Sequence, residues 1–177
     1  MIDMSAWSVQ QVYVSRILFL DPDNVMLDLQ SSGPVPEADL MAALFSGAKV
    51  LELVESIVRV GYMSHEIPIA LKVRGKLYVV EGNRRAAALK AIQNPYLVPA
   101  FQSQVEALAK TLPDRDALRV IDVKIAPNRS DANQLIAALH TGTGRVAWSP
   151  QRQAEFFDRE FAEVRQGVID SGENLRS

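Results

Sequence analysis

Glu81-Gly82-Asn83-Arg84-Arg85 is the segment of this chain whose residue types and order best suit the capture of an anion. Leu77-Tyr78-Val79-Val80 before it reads as a strand, and an alanine-rich helix over 83–93 follows at once. The first N–H groups of a helix lack intrahelical acceptors, and together with the helix dipole they favour an anion. Glycine at such a junction lets the backbone approach the anion and take a positive φ. Arginine adds planar, multi-donor contacts to phosphate oxygens. Two cations in a first helical turn also oppose the positive end of the dipole, at roughly a few tenths of a kcal/mol, and an anion relieves that cost. The competing arrangement is a solvated helix start with both arginines paired to acids such as Glu52 or Glu55. Glu81 suits a catalytic carboxylate, an orienting partner for Arg84 or a water-mediated magnesium contact; a bare surface carboxylate is the alternative.

A second segment, His140-Thr141-Gly142-Thr143-Gly144-Arg145, joins two glycines, two hydroxyls and a cation after an expected helix. Thr141, Gly142, Thr143 and Arg145 suit an anion nest or a lid. The lysine and glycine spacing of a P-loop are missing. His140 is a candidate general base. Its structural alternative is a cation at the negative end of a helix that Gly142 stops. Trp148 reads as core, and His65 has no visible partner.

The elements that must position these residues follow from pattern. Tyr13 to Phe19 reads as a strand, followed by an Asp21-Pro22-Asp23-Asn24 turn. A short helix from Glu37 to about Phe45 precedes a second from about Lys49 to Val60, which Gly61 ends. Ile67, Ile69, Leu71 and Val73 alternate as a strand with one buried face, and Pro68 suggests an edge or first-residue position. Arg74-Gly75-Lys76 turns it into the strand at 77–80, as a hairpin. A short helix is expected near Gln102–Lys110, a strand over Leu118–Ala126, and a helix capped by Ser130 through about Leu139.

Composition bounds the chemistry. The 177 residues are 48% hydrophobic, enough for a packed core. No apolar run reaches the roughly 18 residues of a membrane helix, and the first residues lack a basic signal-peptide start; a cytoplasmic protein is expected. There is no cysteine and there are two histidines, so disulfides, cysteine nucleophiles and a histidine-rich metal cage are not expected. Net charge is −2, but it is uneven. Residues 1–60 carry 3 basic and 8 acidic side chains, 61–130 carry 11 and 6, and 131–177 carry 5 and 7. The middle of the chain is therefore the part that attracts phosphate, unless the unevenness is an ordinary solvated surface.

Several of these segments together resemble the N-terminal domain of the ParB family, within the ParB/sulfiredoxin superfamily. They are Leu53-Val54-Glu55-Ser56-Ile57 through Gly61, Ile67-Pro68-Ile69, and Tyr78 through Leu89 across the Gly82-Asn83-Arg84-Arg85 turn. Order and spacing match over about 12–89. A looser second block ends in Arg145 before Trp148-Ser149-Pro150. The resemblance implies an α+β fold, a small mixed sheet with flanking helices, over 1–148. It implies phosphate binding by Gly82, Asn83, Arg84 and Arg85, with Arg145 approaching from the second block. It places Gly61, Tyr62 and Met63 at the nucleoside end. The ligand would be a nucleoside triphosphate, CTP as in ParB proteins or ATP as in sulfiredoxins, with Mg2+ as its companion ion. Asn83 stands where the family carries glutamate. The second block lacks the family's glutamate-asparagine pair, which leaves hydrolysis open. Without cysteine, sulfiredoxin reductase chemistry is excluded.

Residues 149–177 read as a further helix and a polar tail. Ala154, Phe157, Phe161, Val164 and Val168 form a heptad-like stripe that either docks on the domain or meets a partner helix. In the resembled family this region leads to a DNA-reading module, so DNA contact is expected through a region outside this chain. A minimal domain and a fragment of a longer protein both fit. The leading expectation is a nucleotide switch or slow NTPase in a DNA-associated system such as chromosome or plasmid partition, with a homodimer as the assembly to test. The alternatives are a phosphotransferase or nuclease-like enzyme, with Glu81 or His140 assisting, and a non-catalytic nucleic-acid-binding or interaction domain.

Overall fold

A computed structural model describes residues 7–21, 35–47, 49–63 and 67–141. The chain divides into two compact units, Met1–Ala137 and Ala138–Ser177. The first is a mixed α/β domain built on one five-stranded sheet, with strands β1 (Val9–Tyr13), β2 (Leu18–Leu20), β3 (Ile69–Val73), β4 (Lys76–Glu81) and β5 (Val120–Ala126). Of the second unit, residues 138–141 are described, and they form the end of a helix.

The sheet order is β1-β5-β3-β4-β2. β1–β5 and β3–β4 are antiparallel, and β3–β5 and β2–β4 are parallel. The first two strands in sequence are thus the two edges of the sheet. In a flat sheet those edges would lie about 19 Å apart. The five residue steps from Tyr13 to Leu18 reach at most about 17 Å even when extended, and here they turn. The N–H groups of Arg16 and Ile17 both donate to the Tyr13 carbonyl, at 3.3 and 3.1 Å. The sheet is therefore curled, and the single strand expected over 13–19 is two strands joined by a tight turn.

The hairpin between β3 and β4 follows its sequence signal. Arg74 and Gly75 both have positive φ, 48° and 79°, the backbone that a two-residue hairpin loop needs to match strand twist. β3 differs from expectation in two ways. Ile69, Ala70 and Leu71 are all buried, so its first half is covered on both faces and alternation is lost. It is also a central strand, and Pro68 stands just before its first residue. Proline is tolerated there because its carbonyl, not an N–H, joins the ladder: the Lys124 N–H donates to it at 2.9 Å.

The α-helices among the described residues are α1 (Glu37–Gly47), α2 (Val50–Val60), α3 (Asn83–Gln93), α4 (Gln102–Ala109) and α5 (Arg129–Thr141). α3 is the hub. It packs on α1, α2 and α4 and against β2 and β4, and Ala86 through Ile92 are all buried. A helix enclosed on every side suits small apolar residues, and a cation inside it requires a partner. Lys90, 4% exposed, pairs with Glu37 of α1. α5 begins one residue before the expected cap. Asn128, not Ser130, supplies the cap oxygen: its Oδ1 accepts the Asp131 N–H at 2.8 Å, and its Nδ2 returns a bond to the Asp131 carboxylate at 3.1 Å. No helix among the described residues is long and apolar enough to cross a membrane.

Candidate functional site

The turn between β4 and α3 is fixed by steric fit before any chemistry is considered. Gly82 has φ 89° and ψ 20°, in the left-handed region that costs an L side chain roughly 1–2 kcal/mol. A Cβ on Gly82 would also lie 3.2 Å from both Cα and Cβ of Pro68. Glycine is thus required twice over, by conformation and by the backbone running into β3. The turn starts α3 abruptly. Ala86 N–H donates to the Gly82 carbonyl at 2.9 Å, so the N–H groups of Asn83, Arg84 and Arg85 precede the first intrahelical donor of the helix.

Asn83 is the first residue of the helix and only 4% exposed. Its Oδ1 accepts the backbone N–H of Asp21 at 3.2 Å. That contact decides the orientation of the amide, because a flipped side chain would set NH2 against N–H. The amide nitrogen is consequently the end turned away from the Asp21 N–H, and Nδ2 is buried with no hydrogen-bond partner. Arg84 is half-buried and its Nε likewise has none. Leaving a buried donor unpaired costs about 1–3 kcal/mol, so two together at one helix start need an explanation beyond folding.

A small network stands behind Asn83. Asp21, at the end of β2, is almost fully buried. Its Oδ2 accepts Arg129 Nη1 at 3.1 Å, and its N–H also donates to the Val79 carbonyl at 3.2 Å. The ends of β2 and β4 and the starts of α3 and α5 therefore meet at one point. Asp21 and Arg129 belong to this site although no sequence pattern marks them for it. They lie 62 and 108 residues from the partners they bind, and no local pattern signals such pairs.

The other expected residues distribute unevenly. Gly61 ends α2 with φ 89° and ψ 167°, its N–H bonded to the Ile57 carbonyl. Tyr62 turns inward against the core, and its hydroxyl is buried without a partner. Burial pushes the Tyr62 phenol up from its ordinary pKa; the nearby Arg85 charge opposes that shift and Asp122 adds to it. Met63 is 55% exposed. Glu81 and Arg85 are half-buried and each engages a neighbouring group. Glu52 lies beside Lys49 at 3.6 Å, and among the described residues neither Glu52 nor Glu55 pairs with Arg84. His140 and Thr141 belong to the last turn of α5. Gly142, Thr143 and Arg145 lie outside the described residues, as do His65, Trp148 and the stripe from Ala154 to Val168. No cluster of three His, Asp or Glu side chains suited to a metal occurs among the described residues.

No protein-family model matches the chain, and no curated protein matches it. A solved structure is similar to it: the C-terminally truncated chromosome-partitioning protein ParB from Caulobacter crescentus, complexed with CTP-gamma-S. The TM-score is 0.41 at 14% sequence identity, over 78% of this chain and 56% of that one. The chain thus spans little more than half of that protein's length.

Proposed function

We propose that this domain binds a nucleoside triphosphate, with the phosphates seated on the Gly82–Arg85 turn. It would act as a nucleotide-dependent switch or slow NTPase in a DNA-associated system. The observation that carries the reading is the pair of buried, unpartnered donors, Asn83 Nδ2 and Arg84 Nε, at the start of α3. Both belong to the four residues that the sequence marks for phosphate. The α3 N-terminus adds backbone N–H groups and dipole, and Gly82 keeps the turn free of a side chain. The choice of a triphosphate, and of CTP as the first ligand to try, rests on the sequence resemblance over 12–89. Thr141, Gly142, Thr143 and Arg145 are proposed as further phosphate-binding residues. Glu81 and His140 are proposed for any turnover, and Mg2+ would arrive with the phosphates.

Calorimetric titration of the purified chain with CTP, ATP and GTP, with and without magnesium, tests this. Saturable binding without phosphate release would make the domain a switch, and release would make it an NTPase. If none of the three nucleotides binds, the reading is wrong. Affinity for DNA that falls steeply with salt in the absence of nucleotide would instead favour a backbone-binding role for the turn.

A further inference from the structure

The family resemblance implies the nucleoside end of a site for Tyr62, but its hydroxyl is buried without a hydrogen-bond partner. Gly61 redirects the chain as α2 ends, and two neighbours then part: Met63 faces outward, while Tyr62 packs inward. A tyrosine that stacks on a base offers a ring face and leaves its hydroxyl indifferent. Here the hydroxyl is the sequestered part, and it has no hydrogen-bond partner. Buried tyrosine hydroxyls ordinarily find one. Two charges act on it, Arg85 more strongly and the Asp122 carboxylate in the opposite sense, and Arg85 belongs to the same turn that leaves Asn83 Nδ2 and Arg84 Nε unpaired.

We propose that the Tyr62 hydroxyl is a third side-chain donor to the bound anion, so that Tyr62 reads a phosphate oxygen and not the base. This rests on the phosphate reading of the turn. The class of ligand is a polyphosphate, whether carried on a nucleoside or free. Three donors from two elements, the end of α2 and the start of α3, would then converge on it. Burial keeps the phenol protonated, which a donor to an anion requires.

The experiment titrates CTP and inorganic triphosphate separately into the wild-type chain and Tyr62→Phe, at matched ionic strength. Thermal melting of each unliganded chain shows that both are folded, and loss of an unpartnered hydroxyl should leave the Tm equal or higher. The proposal expects Tyr62→Phe to weaken both ligands by the same factor, roughly tenfold, the scale of one hydrogen bond to a charged group. Unchanged affinity for inorganic triphosphate would overturn it while leaving the phosphate reading intact. A loss for CTP alone would also overturn it and return Tyr62 to the nucleoside. Failure of both ligands to bind the wild-type chain would remove the phosphate reading and this proposal together.

Discussion

The two ends of α3 are treated differently by the rest of the molecule. Toward its C-terminal end the polar side chains of the helix, Lys90 and Gln93, are answered. Lys90 meets Glu37, Gln93 Nε2 donates to the Arg115 carbonyl at 2.9 Å, and the Asn94 N–H donates to the Lys90 carbonyl at 2.8 Å. Around these contacts Leu89, Ala91 and Ile92 are fully buried. In the first turn, Asn83 Nδ2 and Arg84 Nε are buried and unanswered. One helix of 11 residues thus has an end completed by folding and an end that folding leaves open. The closed end fixes the helix firmly, and so the open end can hold donors in place without their own partners. A site with that division should respond to mutation in two separable ways.

The largest effect should come from the closed end. Leu89→Ala is expected to cost about 2–5 kcal/mol of stability through lost packing and a residual cavity. The protein that remains folded should bind nucleotide as before, which denaturant melts paired with calorimetry would show. Gly82→Ala lies at the boundary between the two ends. With φ at 89° and Pro68 atoms 3.2 Å from the new Cβ, it should lose about 2–3 kcal/mol of stability. It should also weaken binding, and equal losses in both would blur the distinction between the ends. Arg84→Ala belongs wholly to the open end. It should lower nucleotide affinity by about 1–3 kcal/mol with little change in Tm. Loss of folding would instead mark Arg84 as structural.

The smallest effect concerns Tyr62. Burial raises its pKa, against Arg85 and with Asp122, so the folded state holds the phenolic proton more tightly than the unfolded chain. The stability linked to retaining that proton, relative to the ionised phenol, is complete below the unfolded value near 10 and is lost as pH rises through the folded value. Melting from pH 8 to 11 should fall less steeply for Tyr62→Phe than for wild type. Parallel curves would mean that the phenol is not sequestered.

Parts of this division are legible in the sequence, and the reason is locality. The Arg74-Gly75 hairpin, the strand-to-helix step at Gly82 and the alanine run of α3 are set by neighbouring residues, and each forms where its pattern indicates. The break at 14–17 is not legible, because Tyr13 and Leu18 have similar local preferences but pair with β5 and β4 at opposite edges of the sheet. Burial on both faces of β3 depends on sheet order, which alternation does not encode. Asn83 was visible as a candidate donor. What fixes its amide is the Asp21 N–H, and Asp21 is held in turn by Arg129. Those contacts arise only when the ends of β2 and β4 and the starts of α3 and α5 are brought together.

The open end of α3 is tested most directly by nitrogen-15 NMR of the uniformly labelled chain during titration with CTP. The expected result is a saturable shift of the backbone amides of Asn83, Arg84 and Arg85, together with the Asn83 Nδ2 and Arg84 Nε resonances, while Lys90 and Gln93 stay in place. Saturation of binding with those first-turn resonances unmoved would contradict the account.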